Sequence, residues 1–521
     1  MTLKNMWERS KLRLFWQTRP LISILILGLF FRLLAVVFSS GFAMQDDHFL
    51  IIETPWAWSH GYAYNNWLPW DQDTAIPKAQ GHSLFYPTLH YLYFETCNFL
   101  GVENPKLQML GVRLLHGLLS LLIVLFSYKI TLKLSNQKVA NVVGISLALS
   151  WAMPFFGVRN LVEMVCIPPL LYGLWLLIKR DFKANWKIYL LAGFWFGIAF
   201  SVRLQLAVFY VAFGFCLLLL KQWKGSIALF FGFLIGAFLS QGIIDWYLWG
   251  YPFAELIEYI NYNSSDAMFD YGGTWQWYKY IIVLTFFSIP IVGLFWLFGT
   301  ITVAKKYFYL FIPLLIFTLF HTMYPNQQER FIFPMIPIFV ILGAIGWNNY
   351  RSKSVFWHKK PKIWPWIFGI SFTLNLILLI AASTYATKQA KVNSAYYFYE
   401  KQKNTPLVIM QEDSFGSDRF YEGSCALFTK FYTGNGQIYS FTINSLAERK
   451  AWEKNGKNPD FILLNGGLRL DQRLDYFFQF YPQMEIRALY ESSAIDQFLH
   501  YMNPKNKNEM VTVVKTNFKP N

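Results

Sequence analysis

The amino-acid sequence predicts an all-α protein that crosses a membrane many times and ends in a small α/β domain. Three observations predict this fold class. The 521 residues are 55% hydrophobic and 20% aromatic but only 15% charged, whereas soluble domains carry about 25% charged residues. Several apolar segments reach the roughly 20 residues that a helix needs to cross a bilayer. The basic residues cluster in the short segments between these apolar stretches.

The apolar segments predict about eleven transmembrane helices. Their expected bounds are 21–38, 107–132, 138–156, 161–178, 186–201, 204–220, 226–248, 280–300, 307–323, 331–347 and 363–385. If the N-terminus is cytoplasmic, the loops that this count places inside carry most of the lysines and arginines, as membrane proteins generally do. One missing helix would move the later basic loops to the wrong side, so the loop charges support the count. We expect the first helix to be retained and not removed as a signal peptide.

The formal net charge of +16, from 46 basic and 30 acidic residues, is explained by these loops. Lysine and arginine in short cytoplasmic loops fix the orientation of a membrane protein. We therefore expect the protein to be surrounded by membrane lipids and not to bind nucleic acid.

Two further regions are expected outside the membrane. In the first outer loop, 39–106, the aromatic stretch 49–58 and the interrupted apolar stretch 84–100 predict two helices that lie in the membrane interface. Beyond the membrane domain, 1–389, short runs of β-type residues at 406–410, 437–440, 460–467 and 510–514 predict strands. Residues 390–521 should form the extracytoplasmic α/β domain.

An acidic pair, Asp46-Asp47, follows the outer end of the first apolar segment. Carboxylates close to lipid are costly and mark functional sites. Two adjacent carboxyl groups can differ in pKa, and one of them can act as a general base. The alternative is a solvated loop carboxylate or a helix N-cap in front of His48.

Three basic residues are candidates for binding a phosphate. Arg330 lies at the outer end of a predicted helix and can hold a phosphate with two hydrogen bonds, or its side chain can simply extend to the interface. His321 lies about one helical turn inside the preceding segment, where it can contact a phosphate or bond to another helix. Arg203 separates two apolar segments and must be paired or reach the interface.

The outer segment 266–278 is rich in aromatic residues and glycine, including Tyr271, Trp275 and Trp277. Flat aromatic faces suit sugar rings and polyprenyl chains, although membrane interfaces use the same residues. No metal-ligand spacing and no glycine-rich phosphate loop accompanies these groups in the sequence. We therefore expect no metal and no other cofactor.

Several motifs resemble those of one enzyme family. Gln45-Asp46-Asp47-His48-Phe49 resembles the Pro-Asp-Glu-His/Tyr-Phe/Trp motif of the lipid-linked α-mannosyltransferases of glycosyltransferase family 22, which have the GT-C fold. The segment 325–334 is similar to their His-Lys-Glu-Glu-Arg-Phe-Leu-x-Pro motif, and 112–116, 151–159, 245–251 and 271–278 are similar to further family segments. The resemblance covers roughly residues 20–350. Asn326 and Gln327 replace the His and Lys of the motif, and Asp47 replaces its Glu.

The resemblance implies an inverting transfer of a sugar, with mannose expected, from a polyprenyl-phosphate donor to a lipid-linked glycan or glycolipid on the outer or lumenal face. Of the acidic pair, Asp46 would take the proton from the acceptor hydroxyl. Arg330, with His321 and Arg203, would stabilise the leaving phosphate. Substrate contacts are expected from His48 and Glu329, together with the aromatic residues of 266–278.

Two other functions stay open at this point. A transporter or flippase of a lipid-linked sugar would also place polar groups in a helical bundle, although no inverted repeat is visible. A catalytically inactive scaffold is the second, because Asn326 and Gln327 remove basic groups. We expect a bacterial inner membrane with the site outside, or the endoplasmic reticulum if the protein is eukaryotic.

Overall fold

The computed structural model describes residues 11–62, 64, 67–72, 74, 76–265, 276–325, 327–403, 405–413, 428–443, 446–455, 458–503 and 508–517. These form two compact units. The first contains Met1–Val36, Asn66–Thr88 and Val112–Thr384, and the second contains Val37–Asn65, Leu89–Gly111 and Tyr385–Asn521. Parts of the first outer loop thus belong to the same unit as the C-terminal region.

Helices make up most of both units. In chain order the α-helices are α1 Lys11–Thr18, α2 Pro20–Phe38, α3 Gln45–His48, α4 Thr54–Ser59, α5 Phe85–Phe99, α6 Pro105–Leu134, α7 Gln137–Leu149, α8 Ala152–Gly157, α9 Val162–Val165, α10 Ile167–Ile178, α11 Trp186–Val202, α12 Ala207–Leu219, α13 Trp223–Ala237, α14 Ile243–Trp249, α15 Ala254–Asn263, α16 Lys279–Ser288, α17 Val292–Val303, α18 Phe308–Met323, α19 Ile336–Lys353, α20 Val355–Lys359, α21 Ile363–Ser383, α22 Gln389–Lys401, α23 Leu446–Asn455, α24 Leu470–Phe480 and α25 Ala494–Met502. Short 3-10 helices cover Pro69–Asp71, Leu204–Leu206, Glu329–Met335 and Phe431–Thr433, and π-helices cover Phe49–Glu53 and Phe238–Gly242.

The apolar helices coincide with the predicted segments. Within the described residues, five are long and apolar enough to cross a membrane: Pro20–Phe38, Pro105–Leu134, Trp223–Trp249, Glu329–Lys353 and Ile363–Ser383. The pair α16 and α17 would be a sixth span, and the remaining predicted segments are occupied by shorter apolar helices. The prediction of a polytopic helical protein is confirmed, and the number of about eleven crossings stays a prediction.

The expectation of one continuous helix over 280–300 is wrong. Helices α16 and α17 are bent by 113° where they meet. Pro290 lies in the break and has no N–H to continue the helix, and Ile291 adopts a positive φ of 66°. The span is therefore broken at its proline.

Glycines allow α11 and α13 to pack so closely that their backbones are in contact. A Cβ added at Gly193 would lie 2.0 Å from the carbonyl oxygen of Leu229, and one added at Gly232 would lie 2.0 Å from that of Leu190. Gly197 and Gly236 lie one turn further along each helix, so both helices carry the small-residue spacing of four that brings membrane helices together. This packing places the end of α11, where Arg203 follows, against its neighbours.

The aromatic stretch at the start of the first outer loop is enclosed by protein. It forms the π-helix Phe49–Glu53 followed by α4, and its residues Phe49, Ile52 and Trp56 are buried. These side chains are not available to lipid, unlike those of α5, where Leu92 is 55% exposed. The interfacial position predicted for the two stretches stays a prediction, and the chemistry of α5 supports it better.

The C-terminal α/β domain is present as predicted. Its strands are β1 Leu407–Asp413, β2 Ile438–Ile443, β3 Phe461–Asn465, β4 Glu485–Tyr490 and β5 Val511–Lys515, in the sheet order β2-β1-β3-β5-β4. β1 runs parallel to β2 and β3, while β5 is antiparallel to β3 and β4. Met410, Ile462 and Phe477 lie in the core. β4 was not predicted, because it lies at the edge of the sheet and its side chains are mostly exposed.

Replacing Gly232 with valine should separate α11 from α13. The added carbons meet the backbone of α11 and cannot be relieved by a side-chain rotation, so we expect destabilisation by about 3 kcal/mol or more. The unfolding midpoint in mixed detergent measures the effect. Gly214→Val is the matched control, because nothing lies within 4 Å of a Cβ at Gly214. Equal stability of the two variants would contradict the close packing.

Candidate active site

Three buried charged side chains meet in the first unit, each from a different segment. Glu163 lies in the one-turn helix α9, Arg203 follows α11, and Arg330 lies in the 3-10 helix Glu329–Met335. Nη1 of Arg203 donates to Oε1 of Glu163 at 2.7 Å, and Nε of Arg330 lies 3.6 Å from the same oxygen. The exposed fractions of the three residues are 1%, 4% and 7%. One carboxylate oxygen therefore serves two arginines.

The chain leaves regular helix at each of these positions. Arg203 caps the C-terminal end of α11 with extended backbone angles (φ −144°, ψ 101°). Gln328, which precedes the 3-10 helix of Arg330, is also extended. Interrupted helices of this kind are tolerated in membrane proteins where the backbone is surrounded by protein or lines a cavity.

Among the described residues, the cluster joins two guanidinium groups to one carboxylate. Nε and Nη2 of Arg203 have no hydrogen-bond partner there. Oε2 of Glu163 likewise has none there. A buried charge without a full set of partners costs several kcal/mol. An anion such as a phosphate would remove that cost, because guanidinium groups bind phosphate oxygens with favourable geometry.

His321 lies beside this cluster, in the last turn of α18. Its ring contacts Phe331, with 6.2 Å between the centroids, and Phe331 also lies 5.0 Å from the guanidinium carbon of Arg203. Nδ1 of His321 lies 2.9 Å from the carbonyl oxygen of Phe317, so Nδ1 carries the proton. The neutral ring then presents a lone pair at Nε2 and donates to a phosphate oxygen only when it is protonated.

Tyr259 of α15 brings a hydroxyl close to the same arginine. Nε2 of Gln205, two residues after Arg203, donates to the Tyr259 oxygen at 2.6 Å. Burial raises the pKa of Tyr259 to about 12, while the positive charge of Arg203 acts in the opposite direction. The hydroxyl is thus a neutral hydrogen-bonding group near the cluster.

A second carboxylate, Glu255, holds a loop of the first unit in place. Its Oε2 accepts the backbone N–H groups of Gln80, Gly81 and His82 at 3.0, 2.7 and 3.0 Å. Burial raises the pKa of Glu255 to about 7, although the N–H donors favour its ionised form. This residue anchors the outer loop to α15 and is not part of the charged cluster.

The acidic pair lies in the second unit, in the short helix α3. Asp47 is 8% exposed, and the side chain of Asp46 lies outside the described residues. His48 is fully buried, with Nε2 at 3.2 Å from Oγ1 of Thr429 and 3.4 Å from Oε1 of Glu53. The predicted substrate-binding His48 is therefore enclosed by protein groups.

Of the remaining predicted residues, the structure describes Trp277, Gln327 and Glu329. Tyr271, Trp275 and Asn326 lie outside the described residues. Trp277 is 71% exposed, and Glu329 is half-buried at the start of its 3-10 helix. Gln327, which replaces a lysine of the motif, is buried and donates to the carbonyl oxygen of Thr322. This glutamine stabilises the turn that leads to Arg330.

Glu163 is the site residue that the sequence analysis missed. It lies inside the segment 161–178, which was treated only as an apolar span. An acidic residue within such a segment is a functional candidate by default, and it follows Arg159 by four positions. That signal would have marked Glu163 as a functional candidate, but it does not name the arginines that Glu163 pairs with.

The fold is shared with solved structures of GT-C enzymes. The crystal structure of ArnT from Cupriavidus metallidurans bound to undecaprenyl phosphate matches with a TM-score of 0.60 at 11% identity, over 97% of this chain and 100% of that one. AglB, the oligosaccharyltransferase of Archaeoglobus fulgidus, in complex with an inhibitory peptide and a dolichol-phosphate, matches with a TM-score of 0.50 at 10% identity, over 87% of this chain and 70% of that one.

The chain belongs to the Alg9-like mannosyltransferase family, whose sequence profile matches residues 23–411. Among curated relatives, GPI mannosyltransferase 3 of Candida albicans is 24% identical over 60% of this chain, and that of Debaryomyces hansenii is 21% identical over 70%. The matches cover 61% and 65% of the lengths of those two proteins. The family predicted from the motifs is confirmed, and so is the prediction, from the apolar segments, of an integral membrane protein.

Replacing Arg203 with methionine should break the buried ion pair and destabilise the protein by about 3 kcal/mol. Glu163 would lose its 2.7 Å hydrogen bond to Arg203. Among the described residues, it would keep the 3.6 Å contact with Arg330. Chemical unfolding in detergent measures the loss. Lys133→Met is the control, because Lys133 forms an exposed pair with Asp181 at 2.8 Å, and such pairs contribute about 0–1 kcal/mol. If the free energy of unfolding falls by the same small amount in both variants, Arg203 is not held by a buried ion pair.

Proposed function

We propose that this chain is an inverting glycosyltransferase that moves a sugar, with mannose expected, from a polyprenyl-phosphate donor to a lipid-linked glycan or glycolipid on the outer face of the membrane. Membership of a mannosyltransferase family supports the reaction class. The two structural relatives have undecaprenyl phosphate and a dolichol-phosphate bound. Those ligands support a lipid phosphate as the donor, and a bacterial inner membrane stays a prediction.

The observation that carries the proposal is that N–H groups of the buried Arg203, beside Glu163, have no partner among the described residues. A lipid-linked sugar phosphate has an anionic group, sugar hydroxyls and an apolar chain. Arg203 has unused N–H groups, and Glu163 has an unused carboxylate oxygen, within the described residues. The donors match phosphate oxygens, and the acceptor matches a sugar hydroxyl.

In the proposed reaction, Asp46 accepts the proton of the acceptor hydroxyl while the hydroxyl oxygen attacks the anomeric carbon. The bond from that carbon to the phosphate oxygen breaks, and the configuration at the carbon inverts. Negative charge develops on the leaving phosphate, and Arg330 and Arg203 stabilise it because their positions are already fixed by Glu163. The chain's own residues thus supply the base and the cationic groups.

Replacing Asp46 with asparagine should abolish transfer while the protein still inserts and folds. Loss of a general base lowers turnover by about 10²- to 10⁴-fold. The assay follows transfer of radiolabelled mannose from a polyprenyl-phosphate donor to lipid-linked acceptors in reconstituted vesicles. Asp181→Asn is the matched control, since Asp181 is an exposed partner of Lys133 and its variant should transfer normally.

Two results would reject the proposal. Near-normal transfer by the Asp46→Asn variant would show that this carboxylate is not the base. Movement of the lipid-linked sugar across the vesicle membrane by the wild-type protein, with no new glycosidic bond, would instead identify a flippase.

A further inference from the structure

A segment of the C-terminal domain packs against the acidic motif within the second unit. His48, two residues after Asp46, is fully buried. Its ring stacks on Phe42 at 4.4 Å and on Tyr432 at 5.6 Å, with interplanar angles of 11° and 12°. Oγ1 of Thr429 lies 3.2 Å from its Nε2. Both faces and one nitrogen of the histidine are thus contacted, and two of these contacts come from residues 428–433.

Glu53 forms the second link to the same segment. It is fully buried, its Oε2 accepts the backbone N–H of Phe431 at 3.1 Å, and its Oε1 lies 3.4 Å from Nε2 of His48. The π-helix Phe49–Glu53 makes this possible, because its wider turn bonds residue i to i+5 and brings position 53 near position 48. Regular α-helix would place the two side chains on different faces.

Aromatic packing completes the contact. The ring of Phe431 is fully buried and lies 5.9 Å from that of Trp56 and 5.7 Å from that of Phe94. Such buried aromatic pairs add stability beyond the area they bury. The segment 428–433 is therefore held by hydrogen bonds as well as by apolar contacts, and it fixes the helix that carries the acidic pair.

The family match ends at residue 411, so the motif is inside the family region and its contacts at 428–433 are outside it. We propose that residues 428–433 position the acidic pair for catalysis through His48 and Glu53, so that the C-terminal domain supports the proposed base. This inference rests on the proposed function of Asp46. Thr429, His48 and Glu53 are positioning residues, since they act through the helix of Asp46.

The test compares three threonine variants in reconstituted transfer assays. Thr429→Val removes the hydroxyl next to His48, and Thr429→Ser keeps it. Thr512→Val is the matched control, because Thr512 is also buried and its hydroxyl has no partner among the described residues. A displaced base slows the chemical step more than it weakens substrate binding.

We expect Thr429→Val to lower kcat by about 10-fold while KM for donor and acceptor stays within about twofold. The serine variant should keep wild-type kcat, and so should Thr512→Val. Amide hydrogen exchange of residues 45–53 should accelerate in Thr429→Val alone. Glu53→Gln keeps the shape of the side chain and should lower kcat in the same way. It replaces Thr429→Val as the test if the valine variant does not fold.

Wild-type kcat in both Thr429→Val and Glu53→Gln would overturn the positioning role. An equal loss of kcat in Thr429→Val and Thr429→Ser would overturn it too. If the wild-type protein transfers no sugar, the proposed function fails, and the exchange measurement then decides this inference separately. Unchanged exchange at 45–53 in Thr429→Val would reject the link between the C-terminal domain and the acidic motif.

Discussion

The charged cluster of the first unit depends on one carboxylate oxygen, Oε1 of Glu163, that two arginines share. Arg203 and Arg330 come from segments far apart in the chain, and all three side chains are buried. Among the described residues, Nε and Nη2 of the buried Arg203 have no hydrogen-bond partner, and such a group is costly to bury. These are the N–H groups that we propose hold the donor phosphate.

The surrounding fold explains how such charges are held among apolar helices. Each lies where a helix ends or changes type: Glu163 in a single turn, Arg203 at a C-cap and Arg330 in a 3-10 helix. The close glycine contacts between α11 and α13 keep the end of α11 in place. Glu255 fixes a neighbouring loop through three backbone N–H groups. The residues that we propose bind the phosphate thus lie on irregular backbone next to packed helices.

Much of this architecture could be predicted from local patterns in the sequence. Apolar segments, loop charge and short β-type runs identified the helices and the C-terminal domain, and the motifs around Asp46 and Arg330 identified the family. The ion pair from Glu163 to Arg203 could not be predicted, because it joins residues that no periodicity relates. Nor could the contacts of His48 and Glu53 with Thr429 and Phe431, which join positions nearly 400 residues apart. The bend at Pro290 was visible in principle, since proline interrupts helices.

Equilibrium binding of a polyprenyl phosphate to the purified, folded protein tests whether the arginines hold a lipid phosphate. We expect Arg330→Gln to weaken binding by about 10- to 100-fold, which corresponds to the loss of a charge-assisted hydrogen bond of about 1.5–3 kcal/mol. The Lys133→Gln variant should bind the polyprenyl phosphate with wild-type affinity. The wild type and both variants should bind the corresponding polyprenol, which lacks the phosphate, with equal affinity. Wild-type affinity of Arg330→Gln for the phosphate would contradict the account.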